Sequence, residues 1–220
     1  YFRLLDIFCY IKNQKKNTDY MLFYVYEWFN NKMNIRISGG YLKGRRFSVE
    51  KSPTLRPTME STRLTIFSVL NSSSKSINEE SVFIDLYSGT GIMGFEALSR
   101  GAKKVIFVEK NKNLCTKISD NLDKFDLSTK SEIICSPVYS FLNFKNIKAS
   151  HIFADPPYRF KEYNKILQQI ELNQFLNNNG VIMLEMDNKS NEFIYQKELY
   201  DVDDRSKGGT KIIFIKRKSD

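Results

Sequence analysis

The sequence predicts an α/β protein: an open, mainly parallel sheet with helices on both faces, ending in an antiparallel hairpin strand and preceded by a small β-hairpin and helix. Three stretches carry that prediction. Val82–Gly94 is a short apolar run that reaches Asp85, turns through Gly89 and Gly91, and opens into the helical pattern of Phe95–Leu98. That is a buried parallel strand, a tight turn and a crossover helix. Lys104–Val108 is the next apolar strand and ends in Glu109, and His151–Ala154 is a third, running into Asp155-Pro156-Pro157-Tyr158. These strand ends fall on one edge of one sheet, where open α/β folds bind their ligands.

A chain of 220 residues supports one domain of ordinary size with an appendage. With 41% hydrophobic and 27% charged residues, the composition is that of a soluble globular protein. Lys and Arg outnumber Asp and Glu by 34 to 25, a net charge of +9, which points to a polyanionic partner, nucleic acid ahead of an anionic membrane. Cys9, Cys115 and Cys135 are odd in number and scattered through apolar stretches, so they read as reduced packing residues of a cytoplasmic protein. With His151 the only histidine and no CxxC pair, no metal site is expected.

Residues 1–32 are rich in aromatics and lack glycine and proline. Met21–Phe29 imitates a secretory signal, but Glu27 interrupts it, no small-residue cleavage site follows, and the run is too short to span a bilayer. A helical or poorly ordered extension upstream of a start at Met33 is expected. Within 33–80, Asn34–Val49 reads as a hairpin with Ile35 and Ile37 alternating and Gly39-Gly40 in a turn. Pro53–Thr58 reads as extended, and Thr58 as the N-cap of a helix carrying Thr62, Ile66 and Leu70 on one face. Residues 81–220 form the main domain. Its expected elements after the first strand are helix 92–100, strand 104–109, helix 112–124, strand 131–135, strand 150–155, helix 161–175 and strand 180–187. Phe193–Asp201 and Lys211–Lys216, joined across Ser206–Gly209, are the expected antiparallel hairpin.

The turn Gly89-Thr90-Gly91-Ile92-Met93-Gly94 fits a dinucleotide fingerprint, which is weak by itself. Gly89 and Gly91 can adopt positive φ and let a ligand approach the backbone, while Gly94 would let helix and strand pack closely. Asp85 before the turn argues against a pyrophosphate and for a methionine-derived adenosine cofactor, which has a cationic amine and no phosphate. Glu109 is suited to gripping ribose hydroxyls.

Asp85–Gly91, Glu109 and Asp155–Tyr158 in this order resemble the S-adenosylmethionine-dependent methyltransferases that modify exocyclic amines of bases. Ile35–Gly40, Gly44-Arg45, Arg56-Pro57-Thr58, Arg63 and Phe141-Leu142 narrow the resemblance to the bacterial RsmD family, over residues 33–217. The resemblance implies a Rossmann-like class I methyltransferase fold and guanine-N2 methylation of small-subunit ribosomal RNA by a cytoplasmic monomer. It also implies that S-adenosyl-L-methionine is bound by Thr58, Asp85, Tyr87, Ser88, Gly89, Thr90, Gly91, Glu109 and Lys110. Its partner would be ribosomal RNA or the assembling small subunit, with phosphate contacts from Arg36, Lys43, Arg45, Arg46, Arg56 and Arg63. The four hairpin residues read almost as well as a solvated basic face, and Arg56 and Arg63 could instead hold the cofactor carboxylate or serve equally well as structural ion-pair residues. The chain departs from the family at Ser136-Pro137, where an Asp or Asn usually meets the adenine, and at Glu60, which stands for a shifted or replaced acid.

The chemistry of Asp155, Pro156, Pro157 and Tyr158 follows from the residues themselves. An exocyclic guanine amine is a poor nucleophile because its lone pair is delocalised into the ring. The Asp155 carboxylate and the Pro156 carbonyl can accept its two N–H groups and draw the nitrogen toward tetrahedral geometry, with the paired prolines holding both acceptors in place. Tyr158 would stack on the flipped-out base. The alternatives are adenine-N6 methylation of DNA or RNA, which shares Asp-Pro-Pro-Tyr, and a non-catalytic RNA-binding assembly factor. Glutamine methylation goes instead with Asn at position 155.

Overall fold

The computed structural model of the chain describes residues 32–50, 57–73, 75–144, 147–156, 163–188, 200–207 and 209–218. Two strands, β1 (Lys32–Arg36) and β2 (Arg46–Glu50), form the expected antiparallel hairpin, with Ile35 opposite Phe47 and Arg36 opposite Arg46. Ile35, Ile37, Phe47 and Val49 are buried on its inner side, as the alternation requires. Helix α1 (Glu60–Ser72) follows and buries Thr62, Arg63, Ile66, Phe67 and Leu70.

The main domain alternates β3 (Val82–Leu86), α2 (Ile92–Ser99), β4 (Lys104–Glu109), α3 (Lys112–Lys124), β5 (Ser131–Cys135), α4 (Val138–Phe144), β6 (Ala149–Ala154), α5 (Tyr163–Leu172) and β7 (Leu176–Asp187). It closes with β8 (Tyr200–Lys207) and β9 (Thr210–Arg217). The seven-stranded sheet has the order β5-β4-β3-β6-β7-β9-β8. β5, β4, β3, β6 and β7 run parallel, while β9 pairs antiparallel with both β7 and β8. The strand order reverses between β3 and β6, the position at which open α/β sheets form a ligand crevice at the C-terminal strand ends. The hairpin, α1, α2 and α3 cover one sheet face around Phe83, Phe107, Phe153 and Met183. α4 and α5 cover the other, around Ile84, Ile106, Ile152 and Leu184.

Gly94 does what the sequence predicts: a Cβ there would lie 2.1 Å from the Phe107 ring of β4, so only glycine lets α2 lie this close to the sheet. The Gly39-Gly40 turn has a second purpose besides reversing the chain. Gly40 has φ +74°, and a Cβ on it would lie 1.8 Å from the Ser99 carbonyl oxygen. The turn therefore docks on the end of α2, where Tyr41 N donates to Ser99 O (2.8 Å), Leu42 N to Ser99 Oγ (2.9 Å) and Ser99 Oγ to Gly39 O (2.6 Å). Beside it lies Glu96, fully buried, which accepts from Ser38 N (2.7 Å) and Arg63 Nε (3.0 Å) and pairs with Arg100.

Several expectations are corrected. Thr58 is not the N-cap of α1; Met59 holds that position without a side-chain cap bond, and Thr58 is buried with its carbonyl accepting from Arg63 Nη1 at 2.6 Å. Helix α4 has no counterpart among the expected elements, because seven residues after Ser136-Pro137 are too few to show a helical period. β7 begins at Leu176, not 180, since Leu176 already pairs with Ala149 before a register shift. The first strand of the terminal hairpin is Tyr200–Lys207, whose run of Asp203, Asp204 and Arg205 is edge-strand chemistry that hides the β pattern. Cys115 is buried as predicted, but Cys135 is exposed at the end of β5. His151 is a core residue stacked on Phe83, with its ring nitrogens engaged by Ser150 Oγ and Lys75 O, both at 2.8 Å. Residues 1–31, the greater part of Pro53–Thr58 and the segment 193–199 lie outside the described residues. Among the described residues no helix is long and apolar enough to cross a membrane, and no cluster of metal-ligating side chains occurs.

Candidate active site

Asp85 lies on β3 two residues after Phe83 and so shares its side of the sheet. It is 1% exposed, with Oδ2 accepting from Gly94 N (3.0 Å) in the first turn of α2. A carboxylate aimed at a helix N-terminus gains from the amide and from the helix dipole. Burial nonetheless pushes its pKa well up, and Asp155 and Glu109 add to the rise. The turn that follows is closed by Ser88 Oγ donating to Asp85 O (2.6 Å), Ser88 N to Val108 O (3.0 Å) and Gly91 N to Ser88 O (2.7 Å). Tyr87, Gly89 and Gly91 all have positive φ, at 58°, 53° and 78°. For Tyr87 that conformation is strained, and strain of this kind collects at ligand sites. Thr90 Oγ1 is buried without a hydrogen-bond partner among the described residues.

Glu109 ends β4, nearly buried, and is aimed rather than free: Oε2 accepts from Gly89 N (2.9 Å) and Oε1 from Asn111 N (2.8 Å). The acid of the second strand thus clasps the glycine turn of the first, and Lys110 follows it on the exposed rim. Asp155 follows β6, and Glu185 on β7 stands next to it, because the parallel register sets Ala154 opposite Leu184. Burial raises the Asp155 carboxyl to about 7; burial and the charge of Asp155 raise Glu185 to about 8. Sequence reasoning missed Glu185. Its only sequence signal is an acid inside the apolar stretch Val181–Met186.

Glu109, Asp85, Asp155 and Glu185 therefore stand toward the C-terminal ends of four adjacent parallel strands, β4-β3-β6-β7. This acidic arc matches a ligand that is cationic near its reacting centre and carries hydroxyls to one side. S-adenosylmethionine meets that description: Glu109 would take the ribose, and the turn 87–91, with its strained backbone and orphaned Thr90 hydroxyl, would face the methionine part. Pro156 is buried beside Asp155, whereas Pro157 and Tyr158 lie outside the described residues. Thr58 is buried just before α1, and its carbonyl accepts from Arg63.

The expected RNA-binding residues separate into two groups. Arg36, Lys43, Arg45 and Arg46 are exposed on the hairpin. Arg36 pairs with Glu60 (2.6 Å), which lowers that acid's pKa, and the Arg45 guanidinium sits 5.0 Å over the Phe125 ring. Arg63 is corrected: it is 3% exposed, and its bonds to Glu96, Thr58 O and Arg36 O (2.8 Å) make it an internal tie. Arg56 lies outside the described residues.

Comparison with known proteins gives one family, one relative and two solved structures. Residues 35–216 match the family model described as conserved hypothetical protein 95. The chain is 32% identical over 159 residues to the ribosomal RNA small subunit methyltransferase D of Haemophilus influenzae, covering 71% of this chain and 80% of that one. Among solved structures, the Escherichia coli putative methyltransferase yhhF superposes with TM-score 0.75 at 24% identity, covering 84% of this chain and 99% of that one. SMU.776, a putative methyltransferase solved in complex with SAH, superposes with TM-score 0.62 at 18% identity, covering 84% and 56%.

Proposed function

Since this chain belongs to the conserved hypothetical protein 95 family, the RsmD-type methyltransferases, we propose that it methylates the exocyclic N2 amine of a guanine in small-subunit ribosomal RNA. The observation that carries the reading is the placement of Asp155 beside Asp85, at the point where the strand order reverses, with Pro156 following it. When bound, S-adenosylmethionine supplies an electrophilic methyl group on a sulfonium.

Asp85 and Glu109 hold the cofactor end of the crevice. Glu109 already has its carboxylate fixed by two backbone amides, so its remaining lone pairs are pre-aimed at hydroxyls. Asp155 and the Pro156 carbonyl accept the two N–H groups of the amine and orient its lone pair for in-line attack, and this positioning supplies most of the rate. The raised pKa of Asp155 gives it a basicity matched to a proton that must leave near neutrality. The hairpin's Arg36, Lys43, Arg45 and Arg46 would hold RNA phosphates, and Tyr158 would stack on the base.

Mass spectrometry of ribosomal RNA nucleosides from cells with and without the gene tests the proposal. Loss of one small-subunit N2-methylguanosine, restored by the wild-type gene and not by Asp155→Ala, is the expected result. An unchanged N2-methylguanosine level would sink the guanine reading, and loss of N6-methyladenosine instead would move the function to adenine.

A further inference from the structure

Glu185 lies in a strand whose neighbouring stretch is otherwise apolar, between Leu184 and Met186. It faces the same side of the sheet as Val181 and Met183, and its neighbour across β9 is Ile212. Its Oε2 is buried and has no hydrogen-bond partner, and no lysine or arginine pairs with it, among the described residues. A carboxylate oxygen buried without a partner is costly, and an apolar side chain of similar size would pack better here. The parallel register places this costly group next to Asp155.

We propose that Glu185 and Asp155 form a carboxyl pair that takes up the proton released when the target amine is methylated. The proposal rests on the reading of Asp155 given above. In the step, the amine lone pair forms the new N–C bond while the electrons of the breaking C–S bond remain on sulfur as a neutral thioether. The nitrogen, now positively charged, keeps the electrons of one N–H bond and gives that proton to a carboxylate oxygen of Asp155. The proton then passes to Glu185 Oε2. One positive charge leaves the sulfur and one proton arrives on the pair, so the net charge of the crevice is the same before and after.

The surroundings favour such a pair. Asp85 on β3 and Glu109 on β4 extend the row of acids on one side, and burial favours the neutral form of Asp85 as it does that of the pair. On the other, β9 presents Ile212 and Phe214, and beyond it on β8 Arg205 is engaged by Asp203. On α1, Glu60 and Arg63 are committed to Arg36 and Glu96. No described cation neutralises the pair. Burial holds both carboxyls well above the ordinary carboxylate range, so the free pair shares a proton around neutral pH and keeps one carboxylate oxygen able to accept from the amine. A bound sulfonium favours the fully ionised pair and expels that proton, which makes both carboxylates ready to receive the next one.

Calorimetry of the full chain at about pH 7.5, in buffers of different ionisation enthalpy, counts protons released on ligand binding. Binding of S-adenosylmethionine should release a measurable fraction of a proton from the wild type, and binding of S-adenosylhomocysteine, which lacks the sulfonium charge, should release less. Glu185→Gln should lose more than half of that release, while Glu185→Asp should keep it. In single-turnover methyl transfer to ribosomal RNA at saturating S-adenosylmethionine, Glu185→Gln should be slower by at least about tenfold with unchanged affinity for S-adenosylhomocysteine, which carries no sulfonium charge. Glu185→Asp should stay within a few-fold of the wild type. Unchanged proton release or an unchanged single-turnover rate in Glu185→Gln overturns the pair. Because the calorimetry needs no RNA, reduced release in Glu185→Gln supports the pair even if guanine is not the substrate. Unchanged release overturns it even where guanine methylation stands.

Discussion

Each acid of the arc is held by a different local device, and this separates their roles. Glu109 is fixed by Gly89 N and Asn111 N, so its removal deletes the clasp on the turn and, in the role proposed for it, charge-assisted bonds to the ribose. With such bonds worth about 1.5–3 kcal/mol each, Glu109→Ala should weaken S-adenosylhomocysteine binding tenfold or more in calorimetry. Unchanged affinity would remove Glu109 from the site. Asp155 should show the opposite division. Asp155→Asn should bind S-adenosylhomocysteine and RNA nearly as the wild type does and, at saturating S-adenosylmethionine, slow single-turnover transfer by about 10²–10³, the size associated with the removal of oriented hydrogen bonds. It should also gain stability. The folded Asp155 carboxyl titrates at about 7 against an unfolded value near 3.8, so the native state holds the proton more tightly and stability falls as pH rises through that window. The melting temperature of Asp155→Asn should therefore gain on the wild type between about pH 4 and pH 8. A gap that does not widen with pH would show that burial does not destabilise the Asp155 carboxylate.

At the scale of elements, the junction between the hairpin, α1 and α2 depends on one buried acid. Glu96 accepts from Ser38 N and Arg63 Nε and pairs with Arg100, while Arg63 reaches on to Thr58 O and Arg36 O. Removing one member of a buried ion-pair network leaves the others charged and unpaired, at a cost of roughly 3–5 kcal/mol. Glu96→Ala should lower the denaturant midpoint by a corresponding amount. It should also weaken RNA binding more than cofactor binding, because Ser38 tethers the hairpin and Asp85 does not depend on it. Equal reductions of both affinities would mean that Glu96 supports the whole fold and not this junction. The turn shows the same dependence through Gly40, where any side chain would strike the end of α2.

For the whole molecule, the net charge of +9 is distributed unevenly with respect to the crevice. The strand ends carry the acids, whereas Arg36, Lys43, Arg45 and Arg46 stand exposed on the hairpin. In the proposed function a cationic cofactor and a polyanionic RNA would therefore meet surfaces of opposite sign in one chain. If the hairpin residues bind phosphates, RNA affinity should fall steeply with salt. Replacing both Lys43→Ala and Arg46→Ala should then flatten the log–log slope by about 1 for each phosphate that is no longer neutralised. Cofactor affinity should be unaffected. A slope unchanged in the double variant would make the hairpin a solvated basic face.

What the sequence by itself determined is what local chemistry can encode. Apolar runs reaching Asp85, Glu109 and Asp155 could only be strands with acids at or near their ends. Glycines at 89, 91 and 94 could only mark a tight turn and a close packing, because no other residue tolerates those conformations and distances so readily. Tertiary structure decided what depends on pairing between distant segments. Arg63 reads equally as a phosphate contact or an ion-pair residue until Glu96, 33 residues away, is seen to pair with it in the interior. Glu185 looks like a chance acid in a strand until register sets it beside Asp155. The polar edge strand β8 and the short helix α4 follow the same rule: their conformation is imposed by neighbours, not by a period of their own. Side-chain periodicity reports which face of an element is buried, but not what it is buried against, and the acid pair and the internal tie both depend on that second fact.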